Sequence, residues 1–221
     1  RRAGTASGLL ARVVDGARAD WILAVVSGVD PTLVAVRSTD AVIRSRGTLD
    51  LARTSADVAL DDAPCVELGP IAPDVLRRAR TVALACCASE LVGVADRCLQ
   101  LAVDYAGQRV QFGRVIGSYQ AVKHRCARML IELERARSWA RYAAWQADFE
   151  PGEAETSALA AALFCSEVAA DATADLIRVL GGTGFTWEHT AHLYFRRARS
   201  STAPFGGTLR LRAELTERVL G

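Results

Sequence analysis

Residues 74–108 read DVLRRARTVALACCASELVGVADRCLQLAVDYAGQ, and this stretch decides the fold. Apolar and small side chains recur in it at helical spacing, which places them on one face of an α-helix. The members of this apolar stripe are Leu76, Val82, Cys86, Leu91, Val94, Cys98, Leu101 and Val103. A pattern kept up over this length predicts one helix of about ten turns.

A second helix is predicted after a glycine break. Gly113 and Gly117 interrupt the first pattern, and Ser118 is placed to cap the helix that follows. Its apolar stripe comprises Val122, Cys126, Leu130, Leu133, Ala140 and Ala144. Pro151-Gly152 is expected to end this helix, because proline cannot continue it.

A third helix is expected from about Glu153 to Leu180, where Gly181-Gly182 supply a C-terminal stop. Shorter helices are predicted after Thr186 and after Thr208, whose hydroxyl can cap the last one. Three long helices joined by short loops predict an antiparallel bundle.

Residues 1–70 predict β structure instead. Runs at 9–14, 21–26 and 32–36 are rich in β-branched and aliphatic residues, residues 27–31 read as a turn, and residues 56–60 alternate polar and apolar. Short strands at hairpin spacing predict part of an antiparallel sheet or barrel. Alone, this piece would have open edges, and Arg1-Arg2-Ala3 leads straight into mid-domain sequence. We therefore expect that an N-terminal portion is missing from this chain.

The composition of the chain bears on its partners and on its cellular compartment. Apolar residues make up 51% of the 221 residues, and the net charge of +2 does not indicate nucleic acid. None of the six cysteines forms a C-x-x-C pair, and most lie in apolar helical patterns, as buried free thiols do. No apolar run approaches the roughly 18 residues of a spanning helix. We expect a cytoplasmic protein with no membrane span.

The first candidate site is Arg109-Val110-Gln111-Phe112-Gly113, followed by Gln120. A guanidinium at the end of a helix can bind a phosphate with two hydrogen bonds, and Phe112 can cover a flat ring. The alternative is an Arg that interacts with a helix C-terminus beside a hydrophobic turn residue. The motif alone leaves both open.

The second candidate site is Gly181-Gly182-Thr183-Gly184-Phe185. Its glycines expose backbone N–H groups, which can line an anion or the polar edge of a ring. One glycine suffices to stop a helix, so three favour a ligand or close packing of the chain.

Two polar clusters follow. Glu188-His189-x-x-His192 has the spacing of a partial zinc site, but no third ligand is evident, so hydrogen-bonded histidines are favoured and no metal is predicted. Arg196-Arg197-x-Arg199 can bind phosphate or form a solvated, ion-paired helix face.

The order of these features resembles the C-terminal half of the acyl-CoA dehydrogenase family. That order is a long helix, R-x-Q-F-G, two long helices, G-G-x-G-F, a short helix, a G-T turn and a last helix. Residues 8–26, with Ala19-Asp20-Trp21, look like the second half of that family's middle β-domain. Residues 49–60 look like the strand pair that leads into its helical domain. The resemblance covers essentially the whole chain.

The resemblance implies an α+β, mainly α fold. Residues 1–70 would be a partial antiparallel middle β-domain, and residues 71–221 a C-terminal antiparallel four-helix bundle. The family's N-terminal helical domain is expected to be missing.

Members of the family are FAD enzymes, usually tetramers, that remove the α-proton and β-hydride of an acyl-CoA thioester. By resemblance, the residues that would contact FAD are Arg109, Phe112, Gln120, Gly181, Gly182 and Thr208. Arg109 would contact the pyrophosphate of FAD held mainly by a neighbouring subunit. The implied partners are an acyl-CoA substrate, a homologous subunit and an electron-transfer-flavoprotein-like acceptor.

The departures concern the catalytic base. The family's Glu lies in a Tyr-Glu-Gly-Thr pattern, which is similar to Phe205-Gly206-Gly207-Thr208 here, so Gly206 replaces the acid. In some members the base lies on the first long helix, at the position of Ala83. Glu90 lies two turns further on, about 10 Å along the helix, and is a weak candidate. Arg178 stands where a Gln is common before G-G-x-G.

These departures predict a chain without a catalytic residue, since removing an α-proton needs a positioned base. It resembles the base-lacking subunits of actinobacterial heteromeric steroid-degrading dehydrogenases, which implies a substrate such as a sterol side-chain CoA ester. Two alternatives stay open. One is a homotetramer with a relocated base, and the other is a flavin-free helical interaction module.

Overall fold

The computed structural model describes residues 4–28, 31–150 and 152–221 and confirms the mainly helical α+β fold. The turn predicted at Val29 and Asp30 and the helix terminator Pro151 lie outside the described residues. The chain divides into two units, Arg1–Arg77 and Arg78–Gly221. Each is described by itself.

The first unit is an antiparallel sheet. Its strands are β1 (Thr5–Val14), β2 (Trp21–Val26), β3 (Thr32–Arg37), β4 (Val42–Arg46) and β5 (Ser55–Pro70). Strand β5 pairs with β1, β3 and β4, and β3 pairs with β2. The buried side chains at its core include Ile22, Val34, Val36, Val58 and Leu60. The sequence missed β4, because two apolar residues followed by Arg44-Ser45-Arg46 show no alternation.

The second unit contains the helices. They are α1 (Pro73–Gln108), α2 (Gln120–Phe149), α3 (Ala154–Leu180), α4 (Ala191–Ser200) and α5 (Gly207–Leu220). A small hairpin of β6 (Val110–Gln111) and β7 (Arg114–Val115) joins α1 to α2. The predicted long helices are therefore present, whereas the hairpin was not predicted.

The predicted apolar stripes were partly wrong. On α1, Leu91, Val94 and Cys98 are buried, but Leu76, Val82, Cys86 and Val103 are exposed. The rest of the buried face of α1 is formed largely by alanines, which let neighbouring helices approach closely. On α2, Leu133 and Ala140 are buried, whereas Leu130 and Ala144 are exposed.

Both predicted caps were wrong. Ser118 Oγ donates to the carbonyl oxygen of Val115 at 2.7 Å, and Tyr119 occupies the N-cap of α2. Thr208 lies inside the first turn of α5, and Gly206 is the N-cap. Residue 206 has a φ of 93°, a left-handed backbone conformation that glycine adopts without strain.

Consecutive long helices run antiparallel: α2 is antiparallel to α1, and α3 is antiparallel to α2. Arg137 of α2 pairs with Asp96 of α1 at 3.3 Å, and Arg125 of α2 pairs with Asp175 of α3 at 2.5 Å. The end of α1, the start of α2 and the end of α3 therefore lie at one end of the bundle.

Helix α3 is the central core helix, and it corrects the expectation that no apolar run is long enough to span a membrane. In the described residues, the helical segment Gly152–Phe185 meets the length and hydropathy of a spanning helix. However, 67% of its apolar window is buried inside the protein. Burial in the bundle core accounts for its composition.

Candidate functional site

The R-x-Q-F-G motif forms a tight hairpin. The backbone N–H of Arg109 donates to Tyr105 at 2.9 Å, and that of Ile116 donates to Arg109 at 2.8 Å, so the hairpin is closed at the end of α1. Phe112 has a φ of 53° and Gly113 a φ of 80°, as a type I′ turn requires. The sequence did not predict this turn, because Phe is an unusual residue at positive φ.

The hairpin presents an arginine and an aromatic ring to its surroundings. Phe112 is 93% exposed, and among the aromatic rings of the described residues it meets only Tyr119, edge-on at 6.5 Å. Arg109 is exposed, and no carboxylate in the described residues pairs with it. Arg114, by contrast, stacks its guanidinium on Tyr119 at 4.0 Å. Arg109 and Phe112 are therefore available to a ligand or a partner.

The three glycines after α3 have different structural reasons. Gly181 ends the helix with a φ of 61°. A Cβ on Gly184 would lie 2.7 Å from the carbonyl oxygen of Ile177, so this glycine is needed for close packing. A Cβ on Gly182 would have nothing within 4 Å. Of the three, only Gly182 has no packing or conformational reason to be glycine.

The six candidate flavin residues fall into two groups. Arg109, Phe112, Gln120 and the Gly181-Gly182 pair lie at one end of the bundle, where α1 ends, α2 begins and α3 ends. Thr208 lies in the first turn of α5, whose Leu211 packs with Leu163 in the middle of α3. Leu163 is 17 residues from the end of α3, and a helix rises 1.5 Å per residue, so Thr208 lies more than about 20 Å from that end.

Asp175 lies at the centre of an arginine cluster beside the first group. Its side chain is 3% exposed, and its carboxylate accepts hydrogen bonds from Arg125 at 2.5 Å, Arg178 at 2.7 Å and Arg128 at 3.3 Å. Burial raises the pKa of Asp175, but the three arginines outweigh it and hold that pKa below its ordinary value. Arg178, which the sequence resemblance matches to a Gln common in the family, is thus paired with Asp175.

Ala83 and Gly206, the two positions that the sequence resemblance matches to the family's base, lie beside one apolar cluster. Ala83 precedes Leu84, and Gly206 follows Phe205. Both Leu84 and Phe205 pack in the cluster around Leu211. Neither position carries an acid.

The side chain of Arg210 lies close to Gly206. A Cβ on Gly206 would lie 2.5 Å from Cδ of Arg210. The aliphatic part of Arg210 therefore occupies the direction in which a side chain at this position would leave the backbone.

Glu90 lies about two turns beyond Ala83 on α1, about 10 Å along the helix axis. Its Oε1 accepts a hydrogen bond at 2.8 Å from Arg197 of α4. The carboxylate therefore contributes an ion pair between two helices, two turns beyond Ala83.

The histidine and arginine clusters have local roles. Nδ1 of His189 accepts a hydrogen bond at 3.1 Å from the N–H of Ala191 at the start of α4. The ring of His192 meets Trp187 edge-on at 4.7 Å, and Arg196 lies over the same indole at 5.1 Å. In residues 4–28, 31–150 and 152–221, no three His, Cys, Asp or Glu side chains are grouped as metal ligands.

The chain belongs to the acyl-CoA dehydrogenase family. Residues 75–220 match the family model described as acyl-CoA dehydrogenase, C-terminal domain. Acyl-CoA dehydrogenase FadE34 of Mycobacterium tuberculosis is 40% identical over 208 residues, which are 94% of this chain and 29% of FadE34. Acyl-CoA dehydrogenase IpdE2 of the same species is 40% identical over 86% of this chain and 54% of IpdE2. The chain thus spans about half or less of these relatives.

Solved structures agree with this assignment. The ChsE4-ChsE5 complex from Mycobacterium tuberculosis superposes with a TM-score of 0.86 at 25% identity, over 97% of this chain and 59% of that one. A structure described as the Tcur3481-Tcur3483 steroid ACAD G363A variant gives 0.85 at 26% identity, over 96% and 58%. Butyryl-CoA dehydrogenase from Megasphaera elsdenii, at 19% identity over 98% and 60%, gives 0.85 and shows the fold alone.

Proposed function

We propose that this chain is a subunit of an FAD-dependent acyl-CoA dehydrogenase and completes a flavin site without supplying the catalytic base. In this assembly residues 1–70 form part of the middle β-domain and residues 71–221 the C-terminal bundle. The observation that carries the proposal is the turn at Gly206, where no acid is present and a φ of 93° favours glycine.

Removal of the α-proton requires a base within hydrogen-bonding reach of it. Ala83 and Gly206 cannot accept a proton, and Glu90 is held by Arg197. We infer that a homologous partner subunit supplies the base, which favours the heteromeric assembly over a homotetramer with a relocated base.

The exposed groups fit the chemistry of FAD. Arg109 offers a planar set of donors that no carboxylate among the described residues engages, which suits a pyrophosphate, and Phe112 offers an uncovered ring to a flat group. Gly182 leaves open space in which a ligand can approach the backbone. Bound FAD supplies the acceptor for the β-hydride. Because Arg109 and Gly182 lie far from Thr208, we propose that the two groups contact different FAD molecules.

The comparisons support a steroid-type substrate. One structural neighbour is described as a steroid ACAD, and two are described with paired chains. We propose a bulky acyl-CoA, such as a sterol side-chain CoA ester, with an electron-transfer flavoprotein as acceptor.

Native mass spectrometry of the protein from its own cells, with flavin counted in the same sample, tests this proposal. We expect a second, homologous chain and about half as many FAD molecules as subunits. A homotetramer with one FAD per chain would overturn it and direct attention to Glu90, and a flavin-free native complex would support the interaction-module alternative.

Arg109→Ala tests the flavin contact in that complex. We expect flavin retention to fall at least tenfold, since a charge-assisted contact to phosphate is lost. Arg114→Ala on the same hairpin is the matched control and should retain flavin. Equal retention by both variants would remove Arg109 from the proposed site.

A further inference from the structure

Helix α5 has only a small apolar anchor in the bundle. Leu211 is the one fully buried residue of this helix, all of which the structure describes, and it packs in a cluster with leucines of α1 and α3. Leu215 is partly buried against the same cluster. Leu209 and Leu220, by contrast, are 81% and 82% exposed. Most of the stability of a helix in a protein comes from its packed apolar face, so α5 needs other contacts to stay in place.

A row of alternating charges supplies those contacts. It runs from Arg218 through Glu155, Arg80 and Glu214 to Arg210, and we name these five residues the ion chain. Arg218 pairs with Glu155 of α3 at 2.6 Å, and Glu155 pairs with Arg80 of α1 at 3.5 Å. Glu214 pairs with Arg80 at 2.5 Å and with Arg210 at 2.9 Å. The ion chain therefore connects α5 with both α1 and α3.

The inner members of the ion chain are partly shielded from solvent. The side chains of Glu155, Arg80 and Glu214 are 18%, 31% and 25% exposed, against 70% for Arg210. Burial raises the pKa of Glu214, but the hydrogen bonds from Arg80 and Arg210 outweigh it and lower that pKa. Glu214 is thus charged near neutral pH. A network of partly shielded charges holds more strongly than isolated ion pairs on the surface do.

Two consecutive glycines lie where α5 begins. Gly206 has a φ of 93° and Gly207 a φ of 83°. A Cβ on Gly207 would have no atom within 4 Å, so its backbone conformation and not its packing favours glycine. Glycine has more backbone freedom than any other residue. Gly206-Gly207 therefore has the properties of a hinge at the base of α5.

We propose that α5 is a lid that swings on Gly206-Gly207 and is held closed by the ion chain. Opening breaks the links from the ion chain to α1 and α3 and exposes Leu211, whereas global unfolding exposes the whole core. Opening therefore costs far less free energy than unfolding, and α5 moves as one cooperative unit. Salt weakens the ion chain more than the leucine contact, because dissolved ions screen charges near the surface.

The lid carries Thr208 in its first turn. An open lid takes Thr208 away from the flavin that it contacts in the proposed function, so that the cofactor can enter or leave. This consequence rests on the proposed function. The swing of α5 does not, since it follows from the hinge and the ion chain alone.

Hydrogen–deuterium exchange of the full chain, alone and in the native complex, measures the opening of the lid through the masses of its peptides. We expect residues 207–213 and 214–220 to exchange at similar rates, and faster than the middle of α3. Raising NaCl from about 0.05 to about 0.5 M should speed both about three- to tenfold. Protection that declines steadily toward residue 220 would show fraying of a chain end instead. That result, or exchange that does not respond to salt, would overturn the proposal.

Glu214→Gln breaks the ion chain near its centre. Exchange of α5 should rise about three- to tenfold at low salt, as expected for partly shielded ion pairs, while exchange of α3 stays unchanged. Glu132→Gln is the matched control, because Glu132 pairs with Arg135 at 2.9 Å on α2, which the ion chain does not include. This control should exchange as the parent does. Equal exchange of α5 in the two variants would contradict the role of the ion chain.

Gly207→Asn tests the hinge. Asparagine tolerates a positive φ better than most residues with a side chain, and the position has space for it, so the closed lid is kept. Its smaller backbone freedom should slow the exchange of α5 about two- to fivefold. Unchanged or faster exchange would contradict the hinge.

Release of FAD from the native complex separates the lid from its consequence. Glu214→Gln should release the flavin about three- to tenfold faster than Glu132→Gln, as flavin fluorescence can follow. Faster exchange of α5 with an unchanged rate of release would take Thr208 out of the proposed flavin site and leave the lid standing.

Discussion

Gly184 and Gly182 provide a matched pair of positions two residues apart. A methyl group on Gly184 would lie 2.7 Å from the carbonyl oxygen and 3.0 Å from the Cα of Ile177, and 3.1 Å from the Cβ of Leu180. Two of these three atoms belong to the backbone of α3 and cannot rotate away. The turn or the last turn of α3 must therefore shift in Gly184→Ala.

The size of the effect follows from two opposing contributions. Overpacking of this kind costs about 1–3 kcal/mol. Replacing glycine by alanine stabilises a protein by about 0.4–1 kcal/mol where the backbone conformation is compatible, because it lowers the conformational entropy of the unfolded chain. Neither Gly182 nor Gly184 has a positive φ. We expect Gly184→Ala to lose about 1–2 kcal/mol and Gly182→Ala to be neutral or slightly more stable.

Urea unfolding, followed by circular dichroism, measures the free energy of unfolding of both variants. This free energy falls with urea concentration with a slope on the order of 1–3 kcal/mol/M. The midpoint should fall for Gly184→Ala alone, with an unchanged slope. In the native complex Gly182→Ala should keep this stability but lose flavin, which separates a ligand role from a packing role. Equal stability of the two variants, or a larger loss in Gly182→Ala, would refute the reasoning.

Three further predictions concern charge and reactivity. Asp175→Asn should destabilise the protein by about 2 kcal/mol at neutral pH, less than for a fully buried pair because its arginine partners are partly exposed. The pKa of Asp175 is lower in the folded protein than in the unfolded chain. Its ionised carboxylate therefore stabilises the fold above the unfolded pKa of about 3.9, and this stabilisation is lost as the pH falls through the folded pKa. The unfolding curves of parent and variant should therefore converge in acid. Burial raises the pKa of Cys98 to about 12, so iodoacetamide should label exposed Cys86 long before Cys98, as mass spectrometry of peptides can show; equal rates would contradict the buried placement. Gly206→Glu in the native complex should leave this subunit without dehydrogenase activity, because a φ of 93° strains any residue other than glycine at this position; full activity of the variant would contradict this reasoning.

The motifs of the candidate site could be recognised in the sequence because their signals are local, while their contacts with flavin stay a prediction. R-x-Q-F-G and G-G-x-G-F stand out as short motifs, and the family is confirmed by the match over residues 75–220. The roles of Gly181 and Gly184 could not be separated in the sequence. Gly181 is needed for its backbone conformation, and Gly184 is needed because it lies close to Ile177. Both requirements arise only when α3 and the turn after it pack together.

The sequence by itself determined the long helices and most strands of this protein, because hydrophobic period and glycine breaks act over neighbouring residues. It did not determine which side of α1 faces the core. An alanine-rich face and a face with larger side chains both recur at helical spacing, so the spacing alone does not distinguish them. Only the tertiary structure decided that alanines pack inside, that Asp175 gathers three arginines from two helices, and that the side chain of Arg210 lies close to Gly206. Each of these outcomes depends on the distance between atoms whose place no local pattern specifies.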